Sequence, residues 1–305
     1  MNDHGRATRT VILDCDPGTD DALALLLALA SPELEVALVT VAGGNAPLPR
    51  TLANACGVVA LAGADVPVHP GARGALLGPY PPGWHGHGAD GMAGIKLPSG
   101  GSPTETVAAD AIRALLRAAA RPVTLIGIGP ATNLALALAT EPCLVTKIDE
   151  IVLMSGARGR GNATTSAEFN AWCDPEALAI VLALQRKLTL ATLETGRAAR
   201  LTAQHLSLFR AAGGRAATTA AAILAALLSL CPDGAPLYDP CAVAWLIAPA
   251  LFTARPVFLG VDLGPGPSRG RTLIDDHGPA NASVLEPVDP DALIALLANR
   301  LAHLS

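Results

Sequence analysis

The chain has 305 residues, of which 51% are apolar and only 15% are charged, and its formal net charge is −5. A chain of this length and composition can bury a large core, and we treat residues 1–305 as a single domain. It has no cluster of five or more basic residues, which disfavours binding to nucleic acid through phosphate neutralisation.

Targeting and redox signals favour a cytoplasmic protein without a membrane segment. The N-terminal stretch MNDHGRATRT is polar and charged, unlike a secretory signal. The longest uncharged stretch, at 216–232, is mostly Ala and falls short of the ~20 strongly apolar residues that cross a bilayer. The six cysteines form no CxxC pair and no zinc-type spacing, which is typical of reduced, buried thiols.

Short β-rich runs alternate with Ala- and Leu-rich helical runs along the chain. The predicted strands are 10–14, 35–41, 122–128, 150–154, 187–193 and 256–262. The predicted helices are 20–30, 50–61, 105–120, 131–139, 175–185, 203–212, 218–230, 241–247 and 291–302. The strands are nearly continuous apolar runs, as in a sheet that is covered on both faces. The alternation predicts an α/β fold with a doubly wound, mostly parallel sheet and helices on both faces.

The longest irregular segment, at 71–101, is rich in glycine and proline and contains WHGHGADGMAG. Loops of this length are usually functional or mobile. It carries His85 and His87, and for His85 we favour a free surface histidine.

The stretch DCDPGTDD places four carboxylates within eight residues. Thr19 can cap the following helix, and Asp20 and Asp21 lie in its first turn, where the helix dipole favours acids. Asp14 and Asp16 end a buried strand and have no such explanation. Ligands bind at the carboxyl ends of strands in doubly wound folds, and clustered hard oxygen ligands suit Ca²⁺ or Mg²⁺. We therefore expect a metal site here, and the alternative is a capped helix start without a metal.

A second family shares part of this pattern. Haloacid-dehalogenase-like phosphatases begin with a strand and DxDx(T/V), in which the first Asp is the nucleophile. Here the fifth position is Gly18, and the Thr arrives one residue later, directly before another acid pair. That function is therefore disfavoured.

Further polar side chains follow later strands, where a core would not accommodate them. Asn45 ends the stretch GGN, and GNATTSAEFN places Asn162, Glu168 and Asn170 after the strand that ends at Met154. Asn and Glu together suit sugar hydroxyls, which need hydrogen-bond donors and acceptors. Ordinary turn chemistry is the alternative for each segment alone.

With these segments and YDPCAVAW at 238–245, the chain resembles the nucleoside hydrolases of the inosine–uridine-preferring type. The matching segments are DCDPGTDDALALLLAL, VAGGN, IGIGPATNLALAL, EIVLMSGA, GNATTSAEFN, DPEAL and YDPCAVAW, in the family's order over nearly the whole chain. The resemblance implies Ca²⁺-dependent hydrolysis of the N-glycosidic bond of ribonucleosides, giving free nucleobase and ribose. It also implies a homodimer or homotetramer.

The resemblance assigns a role to each matching position. It implies that Asp16 is the general base that activates water and also contacts Ca²⁺, and that Asp14 orients the site. The other implied calcium ligands are Asp21, Asp239 and the backbone carbonyl of Ile128. The implied substrate-binding residues are Asp20, Asn45, Met154, Asn162, Glu168 and Asn170.

The chain departs from the family around the leaving base. Many relatives have a His directly before the late Asp, where this chain has Tyr238. A phenol with a pKa of about 10 can donate a hydrogen bond but transfers a proton poorly near neutrality, so we expect its ring to stack on the base. The resemblance places His87 near the substrate as a second candidate donor. Glu194 replaces an Asp of the family, and we infer no role for it.

The sequence leaves base preference open, because the stretch 215–231 has no aromatic residue and relatives cover the base with aromatics there. Two alternative functions fit the same residues. One is hydrolysis of another N-ribosyl compound, such as a modified nucleoside or nicotinamide riboside. The other is a nucleoside-binding protein without turnover, which the presence of both Asp16 and Asp21 disfavours.

Overall fold

The computed structural model describes residues 8–304. The strands are β1 Arg9–Cys15, β2 Leu34–Val41, β3 Val68–Pro70, β4 Gly74–Ala75, β5 Gly78–Pro79, β6 Val123–Gly127, β7 Ile148–Met154, β8 Leu188–Ala191, β9 Arg200–Leu201, β10 Ala235–Pro236, β11 Ala254–Val261, β12 Thr272–Asp275 and β13 Ala282–Leu285. The α-helices are α1 Thr19–Leu29, α2 Leu48–Leu61, α3 Ala108–Ala118, α4 Thr132–Thr140, α5 Phe169–Cys173, α6 Pro175–Leu182, α7 Leu193–Ala198, α8 Leu206–Ala212, α9 Gly214–Leu230, α10 Asp239–Ile247 and α11 Pro290–Leu301.

A nine-stranded sheet in the order β12-β11-β13-β8-β7-β6-β1-β2-β3 forms the centre of the fold. All neighbours from β3 to β13 are parallel, whereas β11 runs antiparallel to both β13 and β12. The mostly parallel α/β sheet predicted from the sequence is thus confirmed. The chain leaves β1 toward β2 on one side and later returns to β6 on the other. This reversal creates a crevice beyond the carboxyl ends of β1 and β6, where ligands bind in such folds.

Two apolar layers enclose the sheet, and β1 shows why its sequence is a continuous apolar run. Val11 and Leu13 belong to one buried layer, together with residues of α1, α2, α9, α10 and α11. Ile12 points to the other layer, with residues of α3, α4 and α6. Because both faces of the strand are covered, neither face tolerates the polar alternation of a half-exposed strand.

Several element ends differ from the predictions because local contacts override propensity. The strand predicted at 187–193 ends at Ala191, and the next residues form α7, which was not predicted. The strand predicted at 256–262 spans 254–261 and lies in the antiparallel part, beside β12 and β13, which were also not predicted. Gly18, rather than Thr19, is the N-cap of α1, and the Asp21 carboxylate accepts the Gly18 N–H at 3.0 Å.

The irregular segment at 71–101 contains only the short β4–β5 hairpin and a 3₁₀ turn at His85–His87. Between residues 8 and 304, no helix has both the length and the apolar character needed to cross a membrane.

Candidate active site

A cavity of about 610 Å³ opens at the crevice beyond the parallel strands. Ten of the residues singled out from the sequence line it: Asp20, Asn45, His87, Ile128, Met154, Asn162, Glu168, Asn170, Tyr238 and Asp239. Rings and apolar groups complete the lining, among them Pro82, Trp84, Phe169, Trp172, Leu227 and Pro236. Asp14, Asp16 and Asp21 are fully buried behind this lining. The cavity therefore combines polar groups that fit a sugar with flat surfaces that fit a base.

Three carboxylates converge at the cavity. One oxygen each of Asp20, Asp21 and Asp239 lies within 4.8 Å of the other two. Burial and the charge of Asp20 raise the pKa of Asp21 to about 7, and the same causes raise the pKa of Asp239 well above its usual range. Such mutual repulsion is what a bound cation offsets.

The carboxylate of Asp16 is confined between two glycine turns. Its Oδ2 accepts the backbone N–H of Asn45 at 2.7 Å, whereas Oδ1 is buried without a hydrogen-bond partner. A Cβ atom at Gly44 would lie 2.1 Å from Oδ2, and one at Gly129 would lie 2.6 Å from Oδ1. Burial, followed by the charge of Asp21, raises the pKa of Asp16 well above its usual range. A buried carboxyl oxygen without a partner needs a ligand to be satisfied.

The Asp21 carboxylate accepts hydrogen bonds that hold the turn after β1. Its Oδ1 accepts the backbone N–H of Asp16 at 3.1 Å, and its Oδ2 accepts the side-chain amide of Asn45 at 2.9 Å. The same amide of Asn45 donates to the Asp16 backbone carbonyl at 3.3 Å. The loop after β2 thereby fixes both Asp16 and Asp21.

Asp14 connects β1 to elements that are distant in sequence. Its Oδ1 accepts hydrogen bonds from Thr40 at 2.6 Å and from the Asn133 amide at 2.8 Å, and burial raises its pKa to about 7. Asn133 in turn accepts the backbone N–H of Ala72, at the base of the long loop, at 2.9 Å. Sequence analysis did not single out Thr40 or Asn133, although Asn133 lies in the matching segment IGIGPATNLALAL.

Glu168 is the N-cap of α5 and is held by backbone amides. Its Oε1 accepts the Asn170 N–H at 2.8 Å, and its Oε2 accepts the Gly156 and Ala171 N–H groups at 2.9 and 3.0 Å. Burial raises the pKa of Glu168 above its usual value, and these hydrogen bonds offset only part of that rise. The carboxyl group therefore has one defined position in the cavity wall.

The Asn170 amide links the ends of two neighbouring strands. Its Nδ2 donates to the backbone carbonyls of Ile128 at 2.9 Å and Met154 at 3.0 Å. Asn162 accepts the Phe169 N–H at 2.9 Å through Oδ1, which leaves its amide N–H groups at the cavity. The amides of Asn162 and Asn170 and the carboxyl group of Glu168 thus form one polar wall.

His87 is docked onto the start of α1. Its Nδ1 accepts the Thr19 backbone N–H at 3.2 Å and lies 2.9 Å from the Thr19 hydroxyl. In the neutral ring the proton is therefore on Nε2, which lies 3.9 Å from Asp20 Oδ1. Burial lowers the pKa of His87, and the charge of Asp20 opposes this. Trp84 packs edge-on against the ring at 5.1 Å, and the exposed His85 also lines the cavity.

Tyr238 is half-buried and directly precedes α10, which begins at Asp239. Its ring lies against Gly196, where a Cβ atom would come within 2.2 Å of Tyr238 Cδ1. Burial raises the pKa of Tyr238 to about 12, although Arg197 acts in the opposite direction. The side chain is therefore a neutral phenol in the cavity wall.

An oxygen-rich acid cluster at the switch point of a parallel sheet, beside groups that match sugar hydroxyls, defines an α/β enzyme acting on a sugar-containing small molecule. The chain matches the model of the inosine-uridine preferring nucleoside hydrolase family over residues 11–295. It is 39% identical over 303 residues to the pyrimidine-specific ribonucleoside hydrolase RihA of Escherichia coli, covering 95% of this chain and 97% of that one.

Solved structures agree with the sequence match. A plant nucleoside hydrolase superposes with a TM-score of 0.88 at 28% identity, covering 97% of this chain and 99% of that chain. A purine-preferring ribonucleoside hydrolase from Gardnerella vaginalis superposes with a TM-score of 0.89 at 28% identity, with the same coverage of 97% and 99%. The chain belongs to the inosine–uridine-preferring nucleoside hydrolases, glycosidases that cleave the N-glycosidic bond of ribonucleosides. The family and the enzyme class expected from the sequence are thus confirmed.

Proposed function

We propose that this chain is a Ca²⁺-dependent hydrolase of pyrimidine ribonucleosides that releases the free base and ribose. The observation that carries the mechanism is Asp16, a buried carboxylate with one unpaired oxygen beside the three converging acids. The identity of 39% to a pyrimidine-specific relative, against 28% to a purine-preferring one, supports the pyrimidine preference.

The residues fit a divalent cation with hard oxygen ligands. The proposed ligands are Asp16, Asp21, Asp239 and the carbonyl of Ile128, and Asp20 offers a further oxygen within the same group. Carboxylate and carbonyl oxygens without sulfur or imidazole favour Ca²⁺ over Zn²⁺. When bound, the cation supplies a Lewis acid that lowers the pKa of water.

Asp16 is the proposed base, because its carboxylate is held on one oxygen and free on the other. It takes a proton from the attacking water, whose oxygen forms the new bond to the anomeric carbon. The bond between that carbon and the base nitrogen breaks, and its electron pair leaves with the base. Asp14 holds the end of β1, next to the proposed catalytic base Asp16, through its hydrogen bonds with Thr40 and Asn133.

The polar wall fixes the sugar during this displacement. Hydroxyl groups of ribose are held by the side chains proposed to bind substrate: Asp20, Asn45, Asn162, Glu168 and Asn170. Met154 contributes a carbonyl and thioether that are already held by the Asn170 amide. Holding the sugar in one orientation places its anomeric carbon next to the attacking water, and this alignment supplies a large part of the rate enhancement.

Two neutral side chains face the departing base. His87 presents its Nε2 proton, because Nδ1 accepts the Thr19 N–H. Tyr238 lines the same cavity, where its ring stacks on the base. The hydrogen bond from His87 stabilises the negative charge of the base, which then takes its proton from solvent water.

Ribose release from a substrate panel tests this proposal. Uridine and cytidine should be cleaved faster than inosine, adenosine and guanosine. If the chain hydrolysed nicotinamide riboside but none of these nucleosides, its substrate would be another N-ribosyl compound. If it bound nucleosides without releasing ribose, it would be a nucleoside-binding protein. We further expect a cytoplasmic homodimer or homotetramer, which light scattering after gel filtration measures.

A further inference from the structure

The segment 158–161 leads directly into Asn162 and lies outside any helix or strand, so its backbone groups need side-chain partners. Two residues of α7 supply them. The Glu194 carboxylate accepts the first two N–H groups of the segment, one on each oxygen, at 3.0 and 3.3 Å. The Arg197 guanidinium donates to its last two carbonyls, at 2.9 and 3.4 Å. Glu194 and Arg197 also pair with each other at 3.5 Å, and we call them the α7 pair.

The turn that follows the segment is closed tightly around Asn162. The Asn162 backbone N–H donates to the Ala167 carbonyl at 3.2 Å, and its side-chain Oδ1 accepts the Phe169 N–H at 2.9 Å. A Cβ atom at Gly161 would lie only 2.1 Å from the Ala167 carbonyl oxygen. A turn this compact moves as one unit. A shift of the segment that enters it therefore moves the Asn162 amide, which lines the cavity.

The start of the same loop is held independently of α7. The Ala157 N–H donates to the Thr272 hydroxyl oxygen at 2.9 Å, and that hydroxyl donates to the Ala157 carbonyl at 2.8 Å. Neither member of the α7 pair lines the cavity, so the pair acts on a ligand only through the segment. Loss of the pair should thus release the segment 158–161 while β12 keeps the loop attached.

We propose that Glu194 and Arg197 are positioning residues that hold Asn162 against one hydroxyl group of the ribose. They thereby set how strongly the enzyme prefers a ribonucleoside over the deoxy analogue that lacks this hydroxyl. This inference rests on the proposed nucleoside hydrolysis and deepens it on the sugar side. It also gives a role to Glu194, for which the sequence alone suggested none.

The preference depends on how rigidly the amide is held. A fixed amide that meets no hydroxyl is left unpaired, so a site of this kind rejects the deoxy sugar. An amide that is free to move must be ordered when the ribose binds, and that cost weakens the contact. Loss of the α7 pair should therefore slow the ribonucleoside and spare the deoxy analogue.

Four substrates test the inference: uridine and its 2′-, 3′- and 5′-deoxy analogues, with kcat/KM measured from uracil release. Asn162→Ala identifies the hydroxyl, because it should lower kcat/KM on uridine roughly tenfold, about the worth of one hydrogen bond. It should leave the analogue that lacks this hydroxyl within about twofold of the wild-type value. Glu194→Leu and Arg197→Met should each lower the uridine value at least about threefold and spare the same analogue.

A double-mutant cycle then asks whether the pair acts through the amide. Glu194→Leu combined with Asn162→Ala should be no slower on uridine than Asn162→Ala alone. Partial variants should give partial effects. Glu194→Gln retains one acceptor oxygen, and Arg197→Lys retains the charge and a donor, so both should recover part of the uridine rate.

Glu141 provides a matched control on the other side of the sheet. Its side chain is 29% exposed, against 30% for Glu194, and it pairs with Arg113 and Arg117 outside the cavity. Glu141→Leu removes an ion pair of the same kind without touching the segment 158–161. It should leave the ratio of kcat/KM between uridine and each deoxy analogue unchanged.

Three results would contradict the inference. Equal loss on all four substrates in Glu194→Leu and Arg197→Met would make the α7 pair a general support of the fold. A further loss of the same factor in the double variant would show that the pair acts independently of Asn162. An Asn162→Ala variant that slows all three deoxy analogues as much as uridine would show that this amide binds no ribose hydroxyl.

Melting temperatures show which variants are folded, and Glu194→Gln and Arg197→Met carry the same test if Glu194→Leu does not fold. The proposed function and this inference fail differently. A wild-type chain that releases no ribose from any nucleoside would overturn both. A wild-type chain that cleaves uridine, with variants that lack the predicted dependence on one hydroxyl, would overturn the inference alone.

Discussion

The backbone N–H of Asn45 donates to Oδ2 of Asp16 at 2.7 Å, whereas Oδ1 of the same buried carboxyl group has no hydrogen-bond partner. The bond holds the group in one orientation, and the free oxygen is available to a cation or a water molecule. The position of one loop thus decides which oxygen of the proposed base is reactive.

Replacing that carboxylate should remove turnover while sparing the fold. Asp16→Asn keeps size and shape but removes the base and one ligand charge, so kcat on uridine should fall roughly 10²- to 10⁴-fold. The melting temperature, measured in the presence of Ca²⁺, should stay within a few degrees of the wild type. Retention of more than about a tenth of the rate would exclude Asp16 as the base.

The confinement of Asp16 by glycine offers a sharper test. Gly44 has φ +156° and a Cβ atom there would lie 2.1 Å from Asp16 Oδ2, whereas Gly78 has φ +148° and open space around it. Gly44→Ala and Gly78→Ala impose a similar backbone cost, but only the first displaces the carboxylate. Gly44→Ala should lower kcat at least about tenfold, and Gly78→Ala should leave it unchanged. Equal activity of the two variants would mean that the position of Asp16 does not control the rate.

Calcium should be stoichiometric and should stabilise the folded chain. Elemental analysis of protein purified without chelator should give about one Ca²⁺ per chain. Chelation should lower the melting temperature, because it leaves Asp20, Asp21 and Asp239 within 4.8 Å of one another without a cation. Zinc in place of calcium, or full activity without any metal, would refute the proposed ligand set.

A further buried carboxylate, Glu150, has a structural role away from the candidate active site. It accepts hydrogen bonds from Arg9 at 3.0 Å, Thr189 at 2.9 Å and the Trp245 indole at 3.0 Å, and pairs with Lys187 at 3.0 Å. Burial raises its pKa, but the hydrogen bonds and the Lys187 charge outweigh burial and hold the pKa below its usual value of 4.5. Glu150 thereby ties β7 to β1, β8 and α10.

Glu150→Gln should lower the free energy of unfolding by about 1–3 kcal/mol near neutral pH. Because the folded-state pKa is depressed, the contribution of the carboxylate is present above pH 4.5 and is lost as the pH falls through the lower folded-state value. Urea unfolding at several pH values should therefore show that the difference in the free energy of unfolding between variant and wild type shrinks as the pH falls below the folded-state pKa of Glu150. The exposed Glu105→Gln serves as the control and should show no such trend. A difference that is independent of pH would argue against an ionised Glu150.

The sequence by itself determined the α/β class, the acid cluster and the residues of the polar wall. Apolar runs such as Val11–Leu13 report burial on both faces, and an acid run at a strand end has few explanations other than a ligand. The resemblance in DCDPGTDD and GNATTSAEFN then identified the residues that line the cavity, from Asp20 to Asp239. These signals depend on neighbouring residues in the sequence, so they can be recognised before the tertiary structure is known.

The tertiary structure alone decided which side chains support those residues. Asn133 reaches Asp14 from 119 positions away, and Thr40 reaches the same carboxylate from β2. The antiparallel placement of β11 and the shift of the α1 cap to Gly18 were equally invisible in the sequence. A residue's local pattern encodes its propensity and burial. Its hydrogen-bond partners depend instead on how crossovers bring strand ends together, and that is a property of the whole chain.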